Sequence, residues 1–565
     1  MKNEKTITNE FALYALIFLA ALGLRMVQLG RPPLLESEAD WAFQALRLVR
    51  GESIPIPPRV AYLSITGGLF SLFGASDYLA RFWPALTGSL VVWLPWLLKK
   101  DLGRIPALVL AAGLALDPAL VPVSRLAGGP ITALVFLALA AGAFHVRKIP
   151  WAIFFTGMGL FSGPGFWMGA VLLGIGTLVG RALDVVDFEG YFQDRLAFFK
   201  GKTASWLEAS LLSLLALLII GSFFLGEFQG LSAWAGALPE FMISWKGPAD
   251  TEAARFLVYF LLNNPLALVF GTLGFISAWR SGNRPGRLFS IWFGAALVGL
   301  LIYPGRETAD LIWLSIPLWG AAASELVRLS DLARGFWATR VMAAVVVVLG
   351  CLNWLTFTGM VFQVIDAKAI WLELGLAAAS LALIALSAAV VSSEWGWDTA
   401  RKGLAGGFAA ALSIFMISSL VLDTYLLEKD PRSIFPGGVG ASQVELLMDS
   451  IADTSISETG RPDSIRGAVI GESDVLRWAL RDYEGFDFLN TAPEGPDYPI
   501  LVTIREDDLT AVEANYRGQD FVFNTQPGWN GALPDDPISW IAFRRGPIIR
   551  DHLILWVRND IYSGY

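Results

Sequence analysis

Apolar runs of about twenty residues, each long enough to cross a bilayer, recur from Phe11 to Leu426 and then stop. Short polar stretches rich in Arg, Lys, Gly and Pro separate them. The pattern predicts spans at 11–30, 79–98, 105–123, 130–146, 150–162, 164–180, 205–225, 255–279, 286–303, 309–328, 340–364, 368–391 and 403–426, about thirteen in all. Ser162-Gly163-Pro164-Gly165 divides what would otherwise be one long helix. Val60 to Gly74 is also apolar, but it is short, contains glycine and follows Ile54-Pro55-Ile56-Pro57-Pro58. It reads as a helix lying in the membrane interface.

Past Glu428 the pattern changes to short alternating runs. Strands are predicted at 467–470, 499–504, 520–523, 538–543 and 553–557, with a helical stretch from Glu472 to Tyr483. Pro431 to Gly440 reads as a linker. The expected architecture is an all-α polytopic membrane domain over residues 1–430, whose first extracytoplasmic loop is 31–78. A small extracytoplasmic α/β domain follows over 431–565.

The charges orient the spans. Lys99, Lys100 and Arg104, then Arg147 and Lys148, then Arg181, Arg195, Lys200 and Lys202 fall in alternate loops. Arg280, Arg284 and Arg287, then Arg328, Arg334 and Arg340, then Arg401 and Lys402 continue the series, while the opposite-side loops 226–254, 304–308 and 365–367 hold only Lys246 and Arg306. The positive-inside rule then places the N-terminus in the cytoplasm of a multi-pass cell-membrane protein, and the 31–78 loop and the tail outside. Counting Val60 to Gly74 as a span would invert every later loop and break this bias.

Composition narrows the chemistry. The chain has 565 residues, 55% hydrophobic and only 16% charged, against roughly 25% charged in a soluble domain. Cys351 stands alone, and His145 and His552 are the only histidines. These counts leave no disulfide framework, and they argue against a zinc centre or a Ser-His-Asp triad. Basic residues are scattered among short loops, so no nucleic-acid partner is expected. No inverted repeats or charges deep in the membrane suggest a transporter.

The densest candidate chemistry follows the first span, where Leu35-Glu36-Ser37-Glu38-Ala39-Asp40 puts three carboxylates within five residues. Ser37 is a plausible N-cap, with Asp40 three residues on. Trp41, Ala45, Leu48 and Val49 share one face at helical spacing, and Gly51 ends the helix. Glu36, Glu38 and Asp40 are candidate acids for general base catalysis; the ordinary alternative is stabilisation of a helix N-terminus. They could also ligate a hard cation, but one short segment rarely fills six positions. A metal site is therefore not expected, and a divalent requirement stays open. Arg59, Arg125 and Arg306 are candidate phosphate ligands at predicted outer ends of spans. Arg81 is either a further ligand or the i,i+4 partner of Asp77. Arg306 could equally pair with Glu307 or Asp310. Asp117, near the outer end of an apolar run, is a candidate binding residue or a cap beside Pro118.

Several of these stretches together resemble a family. Ser37-Glu38-Ala39 with Ala42, Ala45, Leu48 and Gly51 resembles the first-loop motif of the GT-C membrane glycosyltransferases, of the dolichyl-phosphate-mannose protein mannosyltransferase and aminoarabinose transferase type. Leu69-Phe70-Ser71-Leu72-Phe73-Gly74 through Ala80-Arg81, Pro84 to Gly88, and Asp117-Pro118 through Ser124-Arg125 look like later elements of the same family. The tail more distantly resembles a flippase-associated branch. The resemblance implies transfer of a sugar from a polyprenyl-phosphate donor to an acceptor glycan, lipid or protein at the outer face, with inversion at the anomeric carbon. It implies a first-loop acid as general base and arginines on the carrier phosphate, among membrane lipids and in a possible complex with other envelope-glycosylation proteins. The family's Asp-Glu pair reads Ser37-Glu38 here, its later acid is replaced at Gly128-Gly129-Pro130, and its basic residue before the interfacial helix corresponds to Pro57-Pro58-Arg59. A catalytically silent relative serving as a scaffold is the alternative reading.

Overall fold

The computed structural model describes residues 2–185, 204–247, 251–329, 337–362, 367–427, 430–434, 443–493, 495–504 and 515–562. Arg195, Lys200, Lys202, Arg334 and most of the 431–440 linker lie outside the described residues. The N-terminal part is helical: α1 (Lys2–Met26), α2 (Glu36–Val49), α3 (Val60–Phe73), α4 (Asp77–Ser89), α5 (Trp93–Leu102) and α6 (Arg104–Ala115) open a bundle that continues to Leu426.

The expected count of about thirteen spans is not confirmed. Six described helices are long and apolar enough to cross a membrane: 9–26, 165–182, 284–302, 337–359, 371–395 and 397–426. A seventh counts if Ala253–Asn263 and Pro265–Ser281 form one span bent by 92°. Several other predicted spans are short or broken. Leu90–Val92 forms a 3₁₀ turn between α4 and α5, and α6 stops at Ala115, before Asp117-Pro118. Breaks of this kind are tolerated where neighbouring protein satisfies the backbone. Asn264-Pro265 explains the 92° bend: proline disfavours a helical conformation at the residue before it, and the Asn264 side chain accepts the N–H of Ala267 to restart the helix.

The helix Ile312–Leu329 is the axis of the bundle, buried along nearly its whole length. Trp313, Trp319 and Leu318 pack there against Leu110, Leu114, Leu134 and Phe270. The helices Trp337–Phe362, Ala367–Trp395 and Trp397–Val421 form a separate cluster around Met342, Val346 and Ala388. Leu355, Leu372, Leu381 and Leu386 on them are exposed, the pattern expected of lipid-facing surface.

The tail forms a five-stranded sheet from β1 (Gly467–Ile470), β2 (Phe486–Leu489), β3 (Ile500–Thr503), β4 (Tyr516–Pro527) and β5 (Ile548–Arg558), in the order β2-β1-β3-β5-β4. The first three strands are parallel and the last two antiparallel. β2 was not expected. The predicted strand at 538–543 is instead the helix Pro537–Phe543: Asp536 accepts the N–H of Ser539, and Pro537 occupies the first turn.

The sheet domain rests on α2 and the start of α4 through polar contacts and shared apolar packing. The Glu36 carboxylate accepts from Ser473 Oγ at 2.6 Å and from the backbone N–H groups of Asp474 and Val475 at 2.7 and 3.1 Å. It therefore caps the tail helix Asp474–Ala479. Trp478 Nε1 donates to Asp77 at 2.7 Å, and Leu476 and Trp478 join Ala39, Ala42 and Leu63 in one core. A second junction joins the last membrane helix to the domain. Arg544 reaches Asp423, and Ser433 Oγ donates to the same carboxylate at 3.0 Å.

Candidate active site

At the end of the bundle that carries the sheet domain, a cavity of about 300 Å³ opens. Ser37, Glu38 and Trp41 of α2 line it, with Arg59, the 126–130 loop, Ser162, Pro164, Gly165, and Glu307, Thr308 and Asp310. Five stretches of chain thus meet on one space.

Glu38 forms the floor. Its two oxygens receive Arg81 Nε at 2.9 Å and Nη2 at 2.5 Å, a forked ion pair with both side chains buried. Ala127 N–H adds 2.7 Å to Oε1, and Leu35 N–H adds 3.0 Å to Oε2. Helix α2 begins at Glu36, so Ser37 lies inside it. Glu38 reaches back to the first backbone donor, in place of the expected Ser37 cap. Arg81 spends its remaining donors on the carbonyls of Leu29, Pro32 and Pro33. The i,i+4 pairing with Asp77 is therefore replaced by a tertiary one to Glu38. A carboxylate with four donors is well held, but it has little capacity left to accept a substrate proton.

Most of the other candidate residues are also engaged in structure. Arg125 donates to the carbonyls of Arg25, Val27 and Gln28, closing the C-terminus of α1. Arg306 does the same for Leu301 and Tyr303 rather than pairing with Glu307 or Asp310. Asp117 lies outside the cavity. It accepts from the N–H groups of Ala119 and Leu120, Asn264 Nδ2, Ser315 Oγ and Trp319 Nε1, so one buried acid joins three separate parts of the bundle. Glu36 holds the sheet domain, as described above. Asp40 accepts from Gln44 Nε2 at 2.6 Å.

Arg59 is different. Its guanidinium carbon lies 4.0 Å from the centre of the Trp41 ring, and no hydrogen bond or ion pair ties it to another described residue. Two glycines make room for this stack. A Cβ at Gly128 would lie 2.5 Å from Trp41, and one at Gly163 would lie 2.8 Å from the Arg59 stem; both glycines have positive φ, +72° and +90°. Removal from water pulls the Arg59 pKa below its ordinary value, opposed by the charges of Glu240, Glu307 and Asp40. The cation stays charged, with hydrogen-bond donors to spare.

The loop facing it carries the second pair of acids. The 3₁₀ turn Thr308–Leu311 begins with a reciprocal cap in which the N–H of Glu307 donates to Asp310 Oδ2 at 3.0 Å. Partial burial, and then the charge of Glu307, push the Asp310 carboxyl up to about 7. Neither acid was singled out from the sequence except as a possible partner for Arg306. The usable signal was the tight Tyr303-Pro304-Gly305 turn, which ends a membrane helix and presents two acids immediately after it. Among the described residues, no group of three or more Asp, Glu, His or Cys side chains is arranged to hold a metal ion.

No family model and no curated protein matches the chain. Among solved structures it is similar to ArnT from Cupriavidus metallidurans bound to undecaprenyl phosphate, with TM-score 0.53, 14% identity and coverage of 99% of both chains. The same protein in the apo state gives 0.52 and 16% over 98% of both. The oligosaccharyltransferase of Archaeoglobus fulgidus is more distant, at 0.41 and 13% over 98% of this chain and 76% of that one. At such identities the likeness to ArnT concerns architecture and leaves the chemistry to the residues themselves. Because it runs the length of both chains, this protein shares the GT-C fold of ArnT.

Proposed function

We propose that this protein is an inverting glycosyltransferase that takes a sugar from a polyprenyl-phosphate donor in the cavity beneath its sheet domain. The observation that carries the reading is Arg59, a desolvated guanidinium held on Trp41, with open donors in the lining of a cavity among membrane helices. It suits a phosphodiester whose lipid tail lies in the bilayer and whose sugar projects into the cavity. An arginine binds such a group by charge-assisted hydrogen bonds and stabilises the phosphate as it departs. ArnT in its undecaprenyl-phosphate complex has the same fold. On this reading Glu38 and Arg81 are positioning residues. They fix the first turn of α2, and with it Ser37 and Trp41, beside the donor. The charge pattern of the loops supports an outer-face location for the cavity.

The test is binding of undecaprenyl phosphate to the purified full chain, followed by release of undecaprenyl phosphate from a panel of undecaprenyl-phosphate-linked hexoses and aminopentoses, with membrane vesicles as the acceptor source. Arg59→Gln is expected to weaken binding about 10- to 100-fold, as loss of a charged hydrogen bond does. Failure of the wild-type protein to bind undecaprenyl phosphate overturns the reading. A second reading has its own support: Ser37 stands where the family motif has an acid, and Glu38 is fully engaged. A silent, scaffold-like relative would bind the lipid phosphate and release none from any sugar.

A further inference from the structure

Glu38 is the carboxylate that α2 contributes to the cavity lining, and its four donors leave it unsuited to accept a proton. The 307–310 turn lines the same cavity, and we propose that Asp310 is the general base of the transfer. This inference rests on the glycosyltransferase reading.

Asp310 lines the same cavity as Ser37 and Glu38 of α2. The turn is closed at its start by the reciprocal cap with Glu307 and continues without a break into the most buried helix of the bundle. One oxygen of Asp310 is held by the N–H of Glu307, which orients the carboxylate. Placement on a rigid element next to a buried axis is what a catalytic group needs.

The step balances without a further reactant. The acceptor hydroxyl gives its proton to the Asp310 carboxylate while its oxygen forms a bond to the anomeric carbon from the face opposite the phosphate. The bond from the anomeric carbon to the phosphate oxygen breaks, and its electron pair leaves with the polyprenyl phosphate beside Arg59. A base close to neutrality suits proton transfer from a hydroxyl better than an ordinary carboxylate does. Burial and the neighbouring Glu307 push Asp310 in that direction, up to about 7. The charge acting on Asp310 is that of Glu307 on its own turn; Arg59 and Glu38, the latter closed onto Arg81, line the same cavity, and Asp40 and Glu240 act on Arg59. The Tyr303 hydroxyl is occupied with Ser244 Oγ at 2.6 Å.

The experiment measures release of undecaprenyl phosphate from the same donor panel as a function of pH, together with binding of undecaprenyl phosphate itself. Asp310→Asn is expected to lower kcat by about 10²- to 10⁴-fold while leaving undecaprenyl phosphate affinity within about threefold, because Arg59 and not Asp310 meets the phosphate. In wild type the rate should rise with pH through about 7, and Asp310→Glu should keep a measurable fraction of it. Glu307→Gln removes a negative neighbour and should move that limb to lower pH, an effect that a merely structural role would not produce. The assignment is overturned if Asp310→Asn turns over at the wild-type rate, or if the limb persists in it. A wild type that binds undecaprenyl phosphate but releases none from any sugar favours the scaffold and removes this assignment too. A wild type that turns over while Asp310→Asn does so equally well removes only the assignment.

Discussion

The two walls of the cavity carry carboxylates of opposite character. On the α2 wall Glu38 is buried, forked onto Arg81 and held by two backbone donors. On the 307–310 wall Asp310 is partly buried, accepts the N–H of Glu307, and is pressed by a second acid. The first acid is invested in holding the chain together: it joins α2, α4 and the 126–130 loop at one point. The second is left in a state the fold does not favour, raised in pKa beside a like charge. A protein keeps such a group where its chemistry needs it, because perturbed acids in clefts mark function more often than stability. The arginines divide the same way. Arg81, Arg125 and Arg306 satisfy carbonyls and ends of helices, whereas Arg59 is stacked and otherwise uncommitted.

If this division is correct, the two walls should respond to mutation in opposite directions. The largest effect is expected from Arg81→Met, which leaves Glu38 charged and buried without its partner. Breaking a buried pair from one side costs about 3–5 kcal/mol, so the thermal unfolding midpoint of the purified protein should fall steeply. The double variant Glu38→Leu with Arg81→Met should recover much of that loss, since a buried pair replaced by apolar groups is often neutral. A double variant as unstable as the single would show that the pair is not the main contributor.

Asp117 sharpens the contrast, because it resembles Glu38 in engagement but lies away from the cavity. Asp117→Ala strands the side-chain donors of Asn264, Ser315 and Trp319. At about 1–3 kcal/mol for an unsatisfied buried group, partly relieved by relaxation, a loss of about 2–4 kcal/mol is expected in the same unfolding assay. Affinity for undecaprenyl phosphate below the midpoint should be unchanged. A tenfold loss of affinity in folded protein would return Asp117 to the binding site. Glu36→Ala removes a cap made by one domain for another. It should cost about 1 kcal/mol, read most directly as faster limited proteolysis of the sheet domain with the membrane helices intact.

The sequence made the architecture legible because membrane helices and their flanking charges leave strong local signals. The helices bordering Ser162 to Gly165, the helix at Val60–Phe73 and four of the strands followed from periodicity and turn residues. The count of thirteen spans is not confirmed. Whether a run crosses, breaks or stops depends on which neighbour satisfies its backbone, and Leu90–Val92 and Asn264-Pro265 carry that information only in three dimensions. The strand at 538–543 was misjudged because Asp536-Pro537, a helix start, was outweighed by β-branched and aromatic content. The acid cluster after the first span was visible at once. What could not be read there is that Glu38 and Arg81, 43 positions apart in the chain, would close on each other. Adjacent acids therefore received similar roles, although Glu36 caps a helix more than 430 residues away. Glu307 and Asp310 were passed over for the same reason: nothing local distinguishes an acid facing a cavity from one facing water.

The smallest expected effect is the one that distinguishes the walls most directly. Folding raises the Asp310 pKa from an ordinary 3.8 to about 7. Between those values the native state binds a proton that the unfolded chain has released, so stability falls as pH rises through this window and levels off above about 7. Above pH 7 the ionised carboxylate is a net cost. Asp310→Asn should therefore stabilise the protein there, by at least about 1 kcal/mol once solvent screening of a partly buried group is allowed for. Below pH 4 it should have little effect, since both states are then protonated. Unfolding midpoints of wild type and Asp310→Asn across pH 4 to 9 make the comparison. Convergence at low pH and divergence above 7, with the variant more stable and less active, is the signature of an acid held against the preference of the fold. A variant less stable than wild type at pH 8 would mean that Asp310, like Glu38, serves the structure.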